Sequence, residues 1–258
     1  YPELGNNRVG VSMQYVGREP RFYASVAYNG STWYLLNEPN DANKDKQIFY
    51  YRGGGNGYTN TMFWLRTGIG VMKFVHPDDT NRDEKEEYIR KKAEPAIRYA
   101  EILLIYAEAL NELTGNYNIA SWDEETQYTI QRNIDEMKKG IQPIRIRAGI
   151  PDYTRSEYED QDLFREKLKR ERQIELMGEG HRYYDIRRWK DAEVEESLPI
   201  YGCNTLMTEK WRDVFHVPVA IPSLPTNFSR KMYFWPISHS ELKRNKMLTQ
   251  NPGWTYND

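Results

Sequence analysis

The sequence predicts a mainly α-helical protein with a long loop-rich region and a few short β-strands. Three observations carry that reading. Apolar residues recur at helical spacing through the middle of the chain, residues 1–88 show almost no helical period, and proline is frequent beyond Leu198. The chain is accordingly divided into a loop-rich stretch with short strands (1–88), a helical stretch (89–195) and an extended tail that wraps the helices (196–258), all within one domain.

In the first stretch, short apolar runs at Phe22–Val26, Ile48–Tyr51 and Val71–Val75 are broken by Gly, Asn and Pro and read as strands inside long loops. The clearest helix spans 94–114, with Pro95 in its first turn and Gly115 just past its end. Its glutamates (94, 101, 108 and 112) share a narrow arc. Ile97, Ala100, Leu103, Leu104, Ala107, Ala109 and Leu110 cover most of the rest, so neighbours are expected on several sides. A second helix is expected over 124–139, ended by Gly140, with Ile141–Pro151 as a connector. Asp160 or Asp162 caps a third helix that runs to about Met177. Gly178 and Gly180 break it, and a short helix follows from about Tyr183 to Ala192. Prolines at 199, 218, 222, 225, 236 and 252 mark the tail.

Composition excludes several classes. The 258 residues carry a formal charge of -2, so no global field draws nucleic acid or an anionic membrane. One cysteine, Cys203, allows neither an intrachain disulfide framework nor a cysteine zinc cage, and is expected to be a small buried residue. No run approaches the ~20 apolar residues of a membrane helix. The opening Tyr1-Pro2-Glu3-Leu4 is not a signal segment, so the chain is read as a fragment or processed product whose targeting information lies upstream. Catalytic and cofactor motifs are absent: there is no G-x-S-x-G, no H-E-x-x-H, and Gly53–Gly57 is not followed by Lys-Ser/Thr.

Three segments bear on chemistry. Phe49–Trp64, FYYRGGGNGYTNTMFW, joins six aromatics and four glycines with Arg52 as its one charge. Cores favour aromatics and exposed turns favour glycine; together they suggest flat rings displayed on a loop. Such rings stack on the C–H face of a sugar while Asn and Arg groups bind hydroxyls. Trp33, Tyr50, Tyr51, Tyr58 and Trp64 are the candidate stacking residues, and Arg52 and Asn56 the candidate hydrogen-bonding ones; each ring alone is more readily a core residue. Asp79, Asn81 and Asp83 match the first ligands of a calcium loop, but Glu84 replaces the required Gly and Arg90 the bidentate Glu, so a solvated loop is expected and no metal. Glu171, Glu175, Glu179 and His181 lie among Arg170, Arg172, Arg182, Arg187 and Arg188 and read as a salt-bridge network between helices.

Three blocks together resemble the SusD/RagB family of outer-membrane nutrient-binding lipoproteins. They are Arg98–Glu112 with Ile146–Pro151, Glu171–Trp189, and Tyr233–Ser238 running through Glu241 and Asn245 to Trp254. The resemblance covers essentially the whole chain and matches the carboxyl-terminal region of a family about twice as long. It implies paired helices of tetratricopeptide-like type with a loop-rich region packed on them. It also implies a non-catalytic, surface-exposed protein that takes no cofactor. Such a protein captures oligosaccharides or polysaccharides for a TonB-dependent SusC-like transporter, and is held at the outer membrane only by a lipid anchor that this chain lacks. An interaction module that mainly docks on the transporter is the second reading, and a glycoside hydrolase the third. In such proteins variable loops supply the ligand surface, and residues 29–66 fit that description.

Overall fold

The computed structural model describes residues 12–32, 47–60, 62, 64–76, 78–82, 86–93, 95–208, 214–221 and 227–256. Its helices are α1 (Pro20–Ser25), α2 (Tyr99–Asn111), α3 (Ile134–Arg147), α4 (Arg155–Glu159), α5 (Gln161–Glu175), α6 (His181–Arg188), α7 (Ala192–Glu195) and α8 (His239–Arg244). The strands form two-stranded antiparallel pairs: β1 (Val26–Tyr28) with β2 (Ile69–Val71), β3 (Thr80–Arg82) with β4 (Glu86–Tyr88), β5 (Tyr117–Ala120) with β6 (Gln127–Ile130), and β7 (Tyr201–Gly202) with β8 (Val219–Ala220). The protein is mainly helical with minor short strands, as expected.

α2, α3 and α5 build the principal core. Ala100, Leu104, Ala107 and Leu110 of α2 meet Met137, Ile141 and Ile144 of α3, and Tyr158, Phe164 and Leu168 close the cluster. Gly140 does not end the second helix; it lies inside α3. A Cβ there would sit 2.5 Å from the Leu103 carbonyl oxygen and 2.9 Å from Ala107 Cβ, so the glycine permits close approach of α2 and α3. The helix begins ten residues later than expected because Asn133 caps it, accepting from the Glu136 amide at 3.1 Å. Residues 117–130 instead form the β5–β6 hairpin, which uses the strand-forming Tyr128-Thr129-Ile130 run. The third helix matches its expectation closely: the Asp160 side chain accepts from the amides of Asp162 and Leu163.

Two further differences have physical causes. α2 starts at Tyr99 because Arg98 is extended (φ -100, ψ 147), its guanidinium tied to Glu175 and Glu179. Phe22–Ser25 are helical, with Pro20 in the first turn, so only Val26–Tyr28 are strand. Ile48–Tyr51 are likewise not a regular strand, and Val71 is the last residue of β2.

A second cluster joins the loop region to the tail: Ala27, Ile48, Tyr50, Tyr51, Cys203 and Phe215. Cys203 is buried, as read from the sequence. A charge network ties α5 to α1, α3 and the start of α2. Glu171 meets Arg21 at 2.7 Å and Arg145 at 2.6 Å. Glu175 meets Arg98 at 3.0 Å, Arg147 at 2.5 Å and Arg21 at 3.2 Å. Glu179 accepts from Lys73 and Arg98, and Arg172 meets Asp185 at 2.7 Å. Burial alone would raise Glu175 and Glu179, but their hydrogen-bonded cations hold both carboxyls below the ordinary range.

Candidate functional site

The glycine-rich loop is built outward from the second cluster. The amide of Tyr50 donates to Asn29 Oδ1 at 2.8 Å, the Ile48 amide donates to the Ser31 carbonyl at 2.8 Å, and the Arg52 amide donates to the Met207 carbonyl at 2.7 Å. These bonds fix the incoming chain. It then folds back on itself: the Gly54 amide donates to Tyr51 O and the Asn56 amide to Phe49 O. Glycine is required for that fold. A Cβ at Gly57 would lie 2.0 Å from the Tyr51 carbonyl oxygen, one at Gly54 would lie 2.5 Å from that of Phe49, and Gly53 has φ +92°.

The fold-back sorts the aromatic residues. Tyr50 and Tyr51 turn inward and are only 9% and 6% exposed. Burial pushes the Tyr50 phenol up, and Tyr51 packs edge-on to Phe215 at 6.4 Å. Neither offers an open face, so the structure removes both from the expected stacking set; the core needed their rings to anchor the loop. Arg52 and Asn56 are exposed, and Tyr58 and Trp64 are partly so. Trp33 lies outside the described residues.

The outward residues form a row. The Arg52 guanidinium lies 5.5 Å from the Tyr58 ring centre, Tyr58 and Trp64 meet edge to face at 5.5 Å, and Arg66 lies 5.9 Å from the Trp64 ring. These separations are within reach of cation–π attraction. The sequence reading includes Arg66 at the end of the 29–66 stretch but does not single it out as a ligand residue. Its signal was the acid-free run in which it sits: Gln47 to His76 contains no Asp or Glu.

Other clusters resolve into structure. Asp79 accepts from the amides of His76 and Arg90 and from Lys92, which lowers its pKa to about 2, chiefly through Lys92. Its oxygens are therefore occupied; Asp83 lies outside the described residues. A groove of about 820 Å³ is lined by Lys73, Arg90, Lys92 and Arg98, but each of these is paired to Glu179, Asp78, Asp79 or Glu175. His181 Nδ1 lies 3.5 Å from Glu101, at the edge of the helix-joining network. Among the described residues no group of three or more His, Cys, Asp or Glu side chains is arranged to hold a metal.

Fold and site together define a helical scaffold that presents an aromatic, glycine-rich loop. The chain belongs to the SusD family, whose sequence profile matches residues 3–254. It is 31% identical over 162 residues to SusD-like protein P2 of Formosa agariphila, a match covering 61% of this chain and 25% of that protein. Among solved structures it resembles BT4246 (25% identity, TM-score 0.75, 96% of this chain and 39% of that one). It also resembles a SusD-like protein, BF3747, from Bacteroides fragilis (26% identity, TM-score 0.65, 93% and 40%). The chain thus spans about a quarter of the curated relative and about 40% of the solved ones. The family comprises glycan-binding lipoproteins of the outer-membrane surface that are generally non-catalytic, with a tetratricopeptide-like helical fold. No described helix is long and apolar enough to cross a membrane.

Proposed function

We propose that this chain is part of a non-catalytic, cell-surface glycan-binding lipoprotein of the outer membrane that captures oligosaccharides for a TonB-dependent SusC-like transporter. The observation that carries the reading is the row Arg52–Tyr58–Trp64–Arg66, with Asn56 exposed on the same glycine loop. Its rings supply sugar-stacking surface and its polar groups supply donors for hydroxyls. The family's known glycan binding supports the choice of ligand. The decisive measurement is calorimetric titration of oligosaccharides into the chain and into Trp64→Ala. Binding that weakens with only a small fall in melting temperature supports the reading; binding unchanged with a large loss of stability makes Trp64 a core residue and sinks it.

A second reading, docking on the transporter or on another part of the full protein, is favoured by a separate observation. α2 leaves Ile102, Ile105 and Tyr106 exposed opposite its buried face. The β5–β6 hairpin places Tyr117, Ile119 and Tyr128 on one exposed face, with Trp122 at its tip 96% exposed. Capture of the transporter by this chain, lost in Ile105→Glu, distinguishes docking from glycan binding.

A further inference from the structure

We propose that the ligand of the Arg52–Trp64–Arg66 row is an anionic oligosaccharide, one whose sugars carry carboxylate or sulfate groups. This rests on the glycan-binding reading and narrows it. Elsewhere in the molecule most described arginines neutralise carboxylates, although Arg18, over the Phe22 ring, and Arg132, on Asn111 Oδ1 and a backbone carbonyl, do not. Arg21, Arg98 and Arg147 converge on Glu175, Arg172 takes Asp185, and Arg165 takes Glu112. Arg52 and Arg66 depart from that pattern. Among the described residues neither has a carboxylate partner; each lies over an aromatic ring instead.

The departure extends to the whole segment. Acidic residues number 38 in 258, more than one in seven, yet none falls between Gln47 and His76. A surface meant only for neutral sugars gains from carboxylates, which accept hydrogen bonds from hydroxyl groups. A surface meant for an anion must exclude them, because like charges facing across a contact are repelled. The ring beneath each guanidinium steadies it without neutralising it, and leaves N–H groups free to grip a carboxylate or sulfate. The rings between the two arginines would stack on the sugar while the arginines take its charged substituents at either end.

The test uses the 258-residue chain and two matched pairs of probes. One pair is an oligogalacturonide and its carboxyl-reduced form; the other is a carrageenan oligosaccharide and its desulfated form. Titration calorimetry should show one charged member binding about tenfold or more tighter than its neutral counterpart. That preference should weaken with added salt and collapse in the Arg52→Gln/Arg66→Gln double variant, while Arg52→Lys/Arg66→Lys retains part of it. Which pair shows the preference identifies carboxylate or sulfate. Equal binding of charged and neutral members, or a preference unchanged in the glutamine variant, overturns the anionic assignment and leaves glycan binding intact. Binding to none of the four, nor to a panel of neutral glycans, overturns the glycan reading itself.

Discussion

Around Glu171 and Glu175 the helical region gathers five arginine contacts into a small, mostly buried volume, whereas the loop at residues 49–66 carries its two arginines over aromatic rings. The same side chain does different physical work in the two places. In the first, guanidinium groups bridge α1, α2, α3 and α5, and their cost of desolvation is offset only while every partner is present. In the second, the charge costs little to keep because water still reaches it. One region is therefore intolerant of substitution and the other tolerant, and sequence constraint is expected in the first, with ligand contact, under the proposed function, in the second.

The largest effect that separates the regions is expected at Glu175. Changing it to Ala leaves Arg21, Arg98 and Arg147 without their shared acceptor in a site where Glu175 is only 4% exposed. A loss of about 3–5 kcal/mol is expected from urea unfolding. Arg52→Gln, at an exposed position, should stay within about 0.5 kcal/mol of the parent. Comparable losses at both sites would erase the contrast.

Gly140→Ala is expected to rank next, at about 1–3 kcal/mol, because the added methyl enters the space between α2 and α3 occupied by the Leu103 carbonyl and Ala107. The cost should appear in stability and leave ligand affinity per folded molecule unchanged. Gly57→Ala provides the counterpart in the loop. Its methyl meets the Tyr51 carbonyl oxygen, so the fold-back must open and the row of rings must shift. Affinity should fall there more than stability does.

Acid should distinguish the regions in the same way. The carboxyls of Glu175 and Glu179 are held below their ordinary value of 4.5. Groups depressed on folding contribute stability that is full above the unfolded value and is lost as pH falls through the lower, folded value. The contribution of these two carboxyls should therefore hold from neutral pH down to about 4.5 and be lost below it, so the fall in melting temperature below that pH should shrink in Glu175→Gln; burial of His216, which lowers its pKa from 6.5, adds a separate loss that begins at higher pH. The loop row contains no carboxylate, so its ring contacts add nothing to that slope.

Much of the helical region was legible in the sequence because its signals are local. Asp160 as a cap, Gly178 and Gly180 as breakers, and the Glu/Arg pattern from Glu171 to Arg188 all do what residue chemistry says they should. The β5–β6 hairpin was not legible, because Ile130, Ile134 and Met137 fit a continuous helical period even though the first belongs to a strand. Gly140 was misread as a terminator because the carbonyl that demands it belongs to another helix, 37 residues earlier in the chain. In the loop, composition pointed to displayed rings but could not sort them. Tyr50 and Tyr51 differ from Tyr58 only in lying before the glycine fold-back, which turns the first two inward.

A small stability effect, and the sharpest functional one, is expected at Tyr58 and Trp64. They meet edge to face at 5.5 Å with neither fully buried, so an alanine at one removes a contact worth about 0.5–1.5 kcal/mol and opens no core cavity. If the row binds sugar, Tyr58→Ala and Trp64→Ala should each weaken oligosaccharide affinity by about fivefold to tenfold, the equivalent of about 1 kcal/mol. Because the two rings touch each other and would touch one ligand, their effects should not add. The double variant should lose less than the sum of the singles, since the first deletion already removes the support that orients the second ring. Strict additivity in titration calorimetry would mean that the rings act separately, and would argue against a single binding row.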